Sequence, residues 1–528
     1  MGEFVLIDPL GVSHSYNTSK VGFVPVSGSG LTVFQEGGDA GHDYKTEALL
    51  IEKRVLQGDY YNPDVQRLSY SMGGELRLTG ISLPGCTYVP ILAFAGCSNL
   101  LYADFSACET IPGSAFQGCV KLSQIIFPAA TIIGQSAFSE ASNLVSLVLS
   151  SDLKYVGGMN FNQKSQFLSM YGRIPYFGTA VVASGWAGAG VAVYSSVISL
   201  RPDTTLIGAS AFASRPNSSV TSIENTENVK YVNEFAFNTC SKLSFSEGAF
   251  PNCVSVGLSA FNDCILQSEN NIGYVGDMAV RMYASSTTVS LRENTRVIAD
   301  QLFVSGGGSR LTSIEGLDAV QHIGNYAFSN CKNLSGWGTF DFSGVVTIGN
   351  GAFNTARLPS IINLTNCEDI GTNAFAYCSA GGRKQLTTGS KVKRIRAGTF
   401  QSCSLQTISL PACTQIDEYA FRSNFWLTTV SLPECVTIGS SAFYQASYLA
   451  SITLPKCEAI MGYAFYYCTS LKSVYFPGSS VVFLENSTAF PTSFWSSGRV
   501  YVPESLVSQY KADLVWGLYS SRIYSITE

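Results

Sequence analysis

The chain has 528 residues, of which 46% are apolar and 13% charged, and its 32 basic and 37 acidic side chains leave a formal charge of −5. So much apolar material with so little charge excludes a disordered chain. Without a cationic surplus no field exists to hold a phosphate backbone, so no nucleic-acid partner is expected. Three histidines, His14, His42 and His322, stand far apart in the sequence and offer little for acid–base or metal chemistry near neutral pH.

In chain order, residues 1–75 come first, with alternating stretches at Phe4–Ile7 and Val21–Val26; they read as a small β-rich cap or attachment module. No basic segment followed by an apolar run and a small-residue cleavage site opens the chain, so no secretory signal is visible in it. From about residue 76 to 498 the sequence repeats itself, and LTTVSLPECVTIGSSAFYQASY followed by LASITLPKCEAIMGYAFYYCTS shows a period of 22 residues. A recurring Phe, usually preceded by Ala, marks the units at Phe94, Phe116, Phe138, Phe161, Phe212, Phe237, Phe261, Phe303, Phe328, Phe353, Phe375, Phe400, Phe421, Phe443, Phe465 and Phe490. Most steps are 21 to 25 residues, but Phe161 to Phe212 and Phe261 to Phe303 span nearly two periods. Each is expected to hide a degenerate coil, which puts irregular coils near 162–208 and 265–300. The longest uncharged window, Ile174 to Leu200, could cross a bilayer if helical. Its Pro175, Gly178, Gly185, Gly188 and Gly190 argue instead for buried strands, so no membrane span is expected.

Within a unit, Leu449, Ile452 and Leu454 followed by Pro455 alternate at period two and read as a short strand closed by proline. Five residues before each of these Phe except Phe490 comes an Ile or Val, as in Ile438-Gly439 and Ile133-Gly134, expected to make a second inward contact and a glycine-assisted corner. One such unit cannot bury its own apolar face, so stability must come from stacked neighbours, the property that defines a solenoid.

The combination of Leu-x-x-Ile-x-Leu-Pro, Ile-Gly-x-x-Ala-Phe and a small residue or Cys three positions later resembles the BspA-type leucine-rich repeat of gut and oral bacterial surface proteins. The fold expected from this resemblance is an α/β leucine-rich-repeat solenoid, mostly β with short helical turns, of period about 22–25 residues with N- and C-terminal caps. The ending VYVPESLVSQYKADLVWGLYSSRIYSI is also similar to the segment that closes such arrays. There Leu506, Val507, Tyr510, Leu514 and Leu518 give a helical apolar stripe suited to capping the last coil, within a closing segment at 499–528. The resemblance implies a non-enzymatic recognition or adhesion protein, extracellular or at the cell surface. Its partner would be a host or matrix protein or glycan, or a bacterial surface polymer. The alternative is a phage virion or receptor-binding component on the same scaffold, with residues 1–75 as its docking module.

Fifteen cysteines would ordinarily suggest disulfides or zinc. Here they fall into repeat columns: Cys413, Cys435 and Cys457 at one place, and Cys403, Asn424, Ala446 and Cys468 at another. Interchange of Cys with Ala and Asn is what a tight interior site tolerates, so the thiols are expected to be buried and free, with no metal. No Gly-x-Ser-x-Gly elbow is joined to a histidine, and no catalytic residue or cofactor is expected. His322 reads as an exposed corner residue, and Gly188-Ala189-Gly190 as a tight bend. The functional hint is aromatic. Tyr419, Tyr444, Tyr448, Tyr463, Tyr466 and Tyr467, with Trp426, lie outside the core columns, and Tyr444 and Tyr466 are one period apart. They are the candidate binding residues, a ladder of large rigid surfaces with polar tips. Outward strand positions such as Thr429, Ser431, Ser451, Thr453, Ser473 and Tyr475 are hydroxylated and uncharged, a face suited to a neutral polymer or a protein surface.

Overall fold

The structure is a computed structural model that describes residues 71–526 apart from 151, 158–167, 172–173, 178–179, 182–194, 214 and 306–307. Before residue 71 it describes the strands Glu3–Ile7, Ser13–Asn17, Val21–Val26, Gly30–Gln35 and Gly58–Tyr61, with Asn62, Val65 and Leu68. The proposed bend at Gly188-Ala189-Gly190 and the Phe161 marker lie outside the described residues. Two compact units are present, residues 1–170 with 175–188, and residues 171–174 with 189–528.

The first unit begins with two antiparallel hairpins, Glu3–Ile7 with Ser13–Asn17 and Val21–Val26 with Gly30–Gln35. Its parallel ladder runs through Gly58–Tyr61, Leu78–Ser82, Tyr102–Asp104, Gln124–Phe127 and Ser146–Leu149. A second ladder joins Thr110–Ile111, Ile132–Ile133 and Tyr155–Val156. Within the window from Ile174 to Leu200, Tyr176 and Phe177 pair antiparallel with Val181 and Ala180, so these residues are extended. Among the described residues no helix is long and apolar enough to cross a membrane.

The second unit repeats the plan of two parallel ladders. One carries the Leu-x-x-Ile strands, Ile361–Leu364, Lys384–Thr388, Leu405–Ser409 and Thr429–Ser431 in one sheet, with Ser451–Thr453, Ser473–Tyr475, Arg499–Val502 and Ile523–Ser525 in the next. The other carries the short Ile strands Arg394–Ile395, Gln415–Ile416, Thr437–Ile438, Ala459–Ile460 and Phe483–Leu484. Ile452 is buried between exposed Ser451 and Thr453, the alternation a one-sided strand requires. This is the leucine-rich-repeat solenoid that the sequence pattern implies.

The third side of each coil is hydrogen-bonded without being a strand. Backbone N–H groups of Tyr419, Phe421 and Ser423 donate to the carbonyls of Ser440, Ala442 and Tyr444, one coil on, at 3.0, 2.8 and 2.7 Å. Ser441, Phe443 and Gln445 repeat this toward Gly462, Ala464 and Tyr466. Every second residue can aim its N–H the same way because the residues two before and two after the Phe adopt left-handed φ. Examples are Ser114 at 53°, Ser136 at 56°, Tyr419 at 58° and Gln445 at 63°. The Phe rings between them stack: in the second unit each neighbouring pair from Phe303 to Phe490 has centroids 4.6 to 5.5 Å apart. That spacing matches the roughly 4.8 Å between paired strands.

The glycine after each Ile has a different reason from the corner freedom expected of it. Gly349 and Gly371 have no positive φ, but a Cβ on either would lie 2.5 or 2.4 Å from the backbone nitrogen of Asn325 or Asn350 in the preceding coil. Only hydrogen fits where two coils approach this closely.

The fifteen thiols are all buried and free, and the two columns use them differently. In one, the thiol donates to the carbonyl two residues on, as Cys413 to Gln415 at 3.2 Å and Cys86 to Tyr88 at 3.1 Å. In the other it donates to the Phe carbonyl of the preceding coil, as Cys119 to Phe94 at 3.0 Å, Cys403 to Phe375 at 2.7 Å and Cys468 to Phe443 at 3.2 Å. Asn424 does the same through its amide, donating to the Phe400 carbonyl at 2.8 Å, while its own oxygen accepts from the N–H of Cys403 and Leu405. Cys and Asn thus interchange because both carry a donor, beyond being small.

Three expectations are corrected. The segment near 265–300 is no degenerate coil: Gln267–Glu269, Ile272–Val275 and Met278–Met282 form an antiparallel meander. Its first turn uses Asn270 and Asn271, both at positive φ, the requirement of a tight hairpin. The last strand joins the Ile ladder in parallel beside Val297–Ile298. His322 is buried rather than exposed, paired with Val297 and Thr347 in that ladder, its Nδ1 2.9 Å from the Thr347 hydroxyl. Burial, aided by nearby Arg296, lowers its pKa to about 4. The apolar stripe of the closing segment ends early. The helix covers Glu504–Ala512 and buries Leu506 and Tyr510, whereas Leu514 and Leu518 are 87% and 71% exposed. Trp516 caps in their place, fully buried, its indole N–H donating to the Val482 carbonyl at 2.7 Å, while the Tyr510 phenol accepts from the Val482 N–H.

Two outcomes follow from this packing. Gly371→Ala should destabilise the chain by about 1–3 kcal/mol, the usual range for overpacking, read as a lower melting temperature; the same change at Gly248, which has open space around it and no positive φ, should cost less. Burial raises Cys108 and Cys413 to about 11 and Cys119, Cys253 and Cys468 to about 12. Unfolded thiols titrate near about 8.5, so the unfolded chain loses protons first as pH rises. Stability is full below that pH and falls above it until the folded values are reached, by up to about 1.4 kcal/mol per pH unit for each such thiol. Melting curves between about pH 7 and 11 should show this downturn, while Ellman's reagent should label thiols only after unfolding.

Candidate functional site

The outward positions of the left-handed corner gather the candidate aromatics on the second unit. One position after the Phe come Arg422, Tyr444 and Tyr466; two before it come Tyr419 and Tyr463; two after it comes Tyr467; five after it come Trp426 and Tyr448. Tyr444 stacks near Tyr466 with centroids 6.1 Å apart, and Tyr467 meets both edge-on at 5.3 and 4.6 Å. Tyr463 packs edge-on against Tyr466 at 5.3 Å. The ladder expected of Tyr444 and Tyr466 is therefore present as a cluster in which faces and edges alternate. Trp426 and Tyr448 form a separate stack at 5.1 Å.

Two cations join the rings. The Arg422 guanidinium lies 5.4 Å from the Tyr419 ring and 4.6 Å from that of Tyr444, tying together two tyrosines on adjacent coils. Arg383 lies 4.3 Å over Trp426. These are cation–π distances, worth about 0.5–1 kcal/mol each at exposed sites. Burial, with the neighbouring Tyr467 phenol, raises the pKa of Tyr444, so its hydroxyl keeps its proton at any ordinary pH. Sequence reasoning missed both arginines. Arg422 had a findable signal, since it stands 22 residues before Tyr444 in the same column.

The backbone under these rings is the telling feature. Tyr419, Tyr463 and Tyr467 have φ of 58°, 58° and 59°, and Tyr377, 51% exposed, has 62°. Left-handed backbone costs a non-glycine residue about 1–2 kcal/mol; equivalent places elsewhere hold glycines such as Gly96, Gly118 and Gly398, short polar residues, and also the large side chains Leu92, Phe235 and Tyr326. Large rings are therefore held where the corner geometry disfavours them. Outward strand positions keep the predicted hydroxyls: Thr429, Ser431, Ser451 and Thr453 are exposed and Ser473 half-buried. Tyr475 stacks on Tyr501 at 4.6 Å on that sheet. Among the described residues no group of acidic, His or Cys side chains could hold a metal ion.

The BspA type leucine rich repeat region, a pattern of six copies, matches residues 69–172, 205–335, 259–381, 305–424 and 382–493. The chain belongs to the BspA-type leucine-rich repeat family. No curated protein matches it. Among solved structures, this BspA-type chain is similar to a leucine-rich repeat protein from Bacteroides ovatus, at 16% identity over 96% of this chain and 98% of that one, with a TM-score of 0.21. A leucine rich cell surface protein from Faecalibacterium prausnitzii is 15% identical over 94% and 96%, with a TM-score of 0.27. The pneumococcal vaccine antigen PcpA is 13% identical over 99% and 98%, with a TM-score of 0.21.

The left-handed tyrosines predict an inverted order of substitution effects. Tyr463→Gly should be at least as stable as Tyr463→Ala, since glycine releases about 1 kcal/mol of backbone strain that alanine retains. Urea unfolding midpoints of the two variants check this.

Proposed function

We propose that the chain is a non-enzymatic recognition protein, extracellular or at the cell surface, that binds its partner through the aromatic corner of the second unit. The observation that carries this reading is the contiguous cluster of Tyr444, Tyr463, Tyr466 and Tyr467 with Arg422 against Tyr444, large side chains outside the buried core and in mutual contact across adjacent coils. Tyr, Trp and Arg are also the side chains that dominate binding energy at protein surfaces, and here they adjoin one another across several coils. Family membership supports a recognition role, and the partners in keeping with this reading are host or matrix proteins and glycans, or bacterial surface polymers.

The test is binding of the fluorescently labelled chain to epithelial cells, immobilised matrix proteins and a panel of gut bacteria, side by side. Saturable binding to at least one of these is expected. The double variant Tyr444→Ala, Tyr466→Ala should weaken it at least tenfold while lowering the melting temperature by only a few degrees, because both rings lie outside the buried core. Unchanged binding by that variant would remove the aromatic corner from the account.

A further inference from the structure

The second unit contains a cleft of about 390 Å³, within the range of about 300–1,000 Å³ typical of small-ligand sites. Its aromatic wall is Tyr466, Phe490, Trp495 and Tyr519. Its remaining lining is Ser487, Thr488, Thr492 and Ser496, so every lining side chain is either aromatic or hydroxylated and none is charged. The wall is fixed in advance: Trp495 stacks on Tyr519 with centroids 3.8 Å apart, and its indole N–H donates to the Ser487 carbonyl at 2.8 Å. The hydroxyls of Tyr466, Ser487, Thr492 and Tyr519 have no hydrogen-bond partner among the described residues.

We infer that this cleft binds one sugar unit of a neutral glycan. A pyranose presents an apolar face of C–H groups and a rim of hydroxyls, which an aromatic wall with unpaired hydroxyls around it matches on both counts. An anionic sugar would find no cation in the lining, and a peptide side chain would leave several hydroxyls unpaired at a cost. Tyr466 belongs both to the cleft and to the aromatic corner, where it contacts Tyr444, Tyr463 and Tyr467. A polymer with one unit in the cleft would therefore continue over those rings. The fixed wall lowers the ordering cost of binding. This inference rests on the recognition reading and narrows it to a ligand chemistry.

The experiment uses the whole chain and isothermal titration with cellohexaose, xylohexaose, mannohexaose and chitohexaose, with oligogalacturonate and a heparin hexasaccharide as charged controls. At least one neutral hexamer should bind and both charged ones should not. Ser496→Trp, an exposed position on the cleft, should weaken that binding at least tenfold with an unchanged melting temperature; if its melting temperature falls, Thr492→Tyr takes its place. Binding of charged oligosaccharides alone overturns the inference. Neutral binding that survives both cleft-filling variants but fails in Tyr444→Ala overturns the cleft and leaves the recognition reading standing. Binding to cells or matrix protein with no response to any hexamer likewise overturns the sugar assignment alone, whereas absence of both sinks the recognition reading as well.

Discussion

Everything in this structure depends on one spacing, the roughly 4.8 Å at which one hydrogen-bonded coil rides on the next. Three ladders impose it on each coil: the Leu-x-x-Ile strand, the short Ile strand and the corner where left-handed residues flank the Phe. The Phe rings accept that spacing because flat rings stacked near 5 Å fill the interior without gaps. The glycine after Ile accepts it by having no side chain at the point of closest approach. The thiol and Asn424 columns accept it by donating across it to the carbonyl of the Phe one coil back. Residues that look unrelated in the alphabet are answers to the same distance.

The corner links this scaffold to the candidate site. A strand would place alternate side chains outward in an even comb, but a turn with two left-handed residues splays several outward positions onto one edge. Arg422, Tyr444, Tyr463, Tyr466 and Tyr467 converge there although they occupy three different columns of the repeat. A patch of this kind is assembled from two or three adjacent coils and can be rewritten coil by coil without disturbing the Phe stack beneath.

Much of this was legible in the sequence, and the boundary of legibility is physical. The Leu, Ile, Phe and Cys columns repeat because each faces the interior, where volume and polarity are fixed, so the solenoid and its buried thiols could be read directly. Burial of His322 could not, since the residue holds a strand position occupied by Thr347 one coil on and Thr437 further along, where exposure depends on the neighbours. The left-handed corner left no glycine signature, because Ser, Asn, Gln and Tyr all stand there; its hydrogen bonds, invisible to composition, select the conformation. The tyrosines were found by aromatic content alone. Arg422 and Arg383 needed coordinates, since an arginine in a repeat column looks like any solvated charge until a ring is seen beneath it. The meander at 267–282 had a local signal in Asn270-Asn271, overlooked because the doubled period favoured a hidden coil.

The buried thiol columns carry a consequence of another kind. A chain with fifteen cysteines and no cross-link would ordinarily be confined to one compartment, reduced inside a cell and prone to mispairing outside it. Here every thiol is sealed from solvent, and those such as Cys119 and Cys468 are held protonated by burial and engaged with a carbonyl oxygen, so neither glutathione nor an oxidising exterior has an exposed thiolate to act on. The folded solenoid is accordingly indifferent to redox poise. It holds no cross-link that a reducing environment could break and exposes no thiol that an oxidising one could pair.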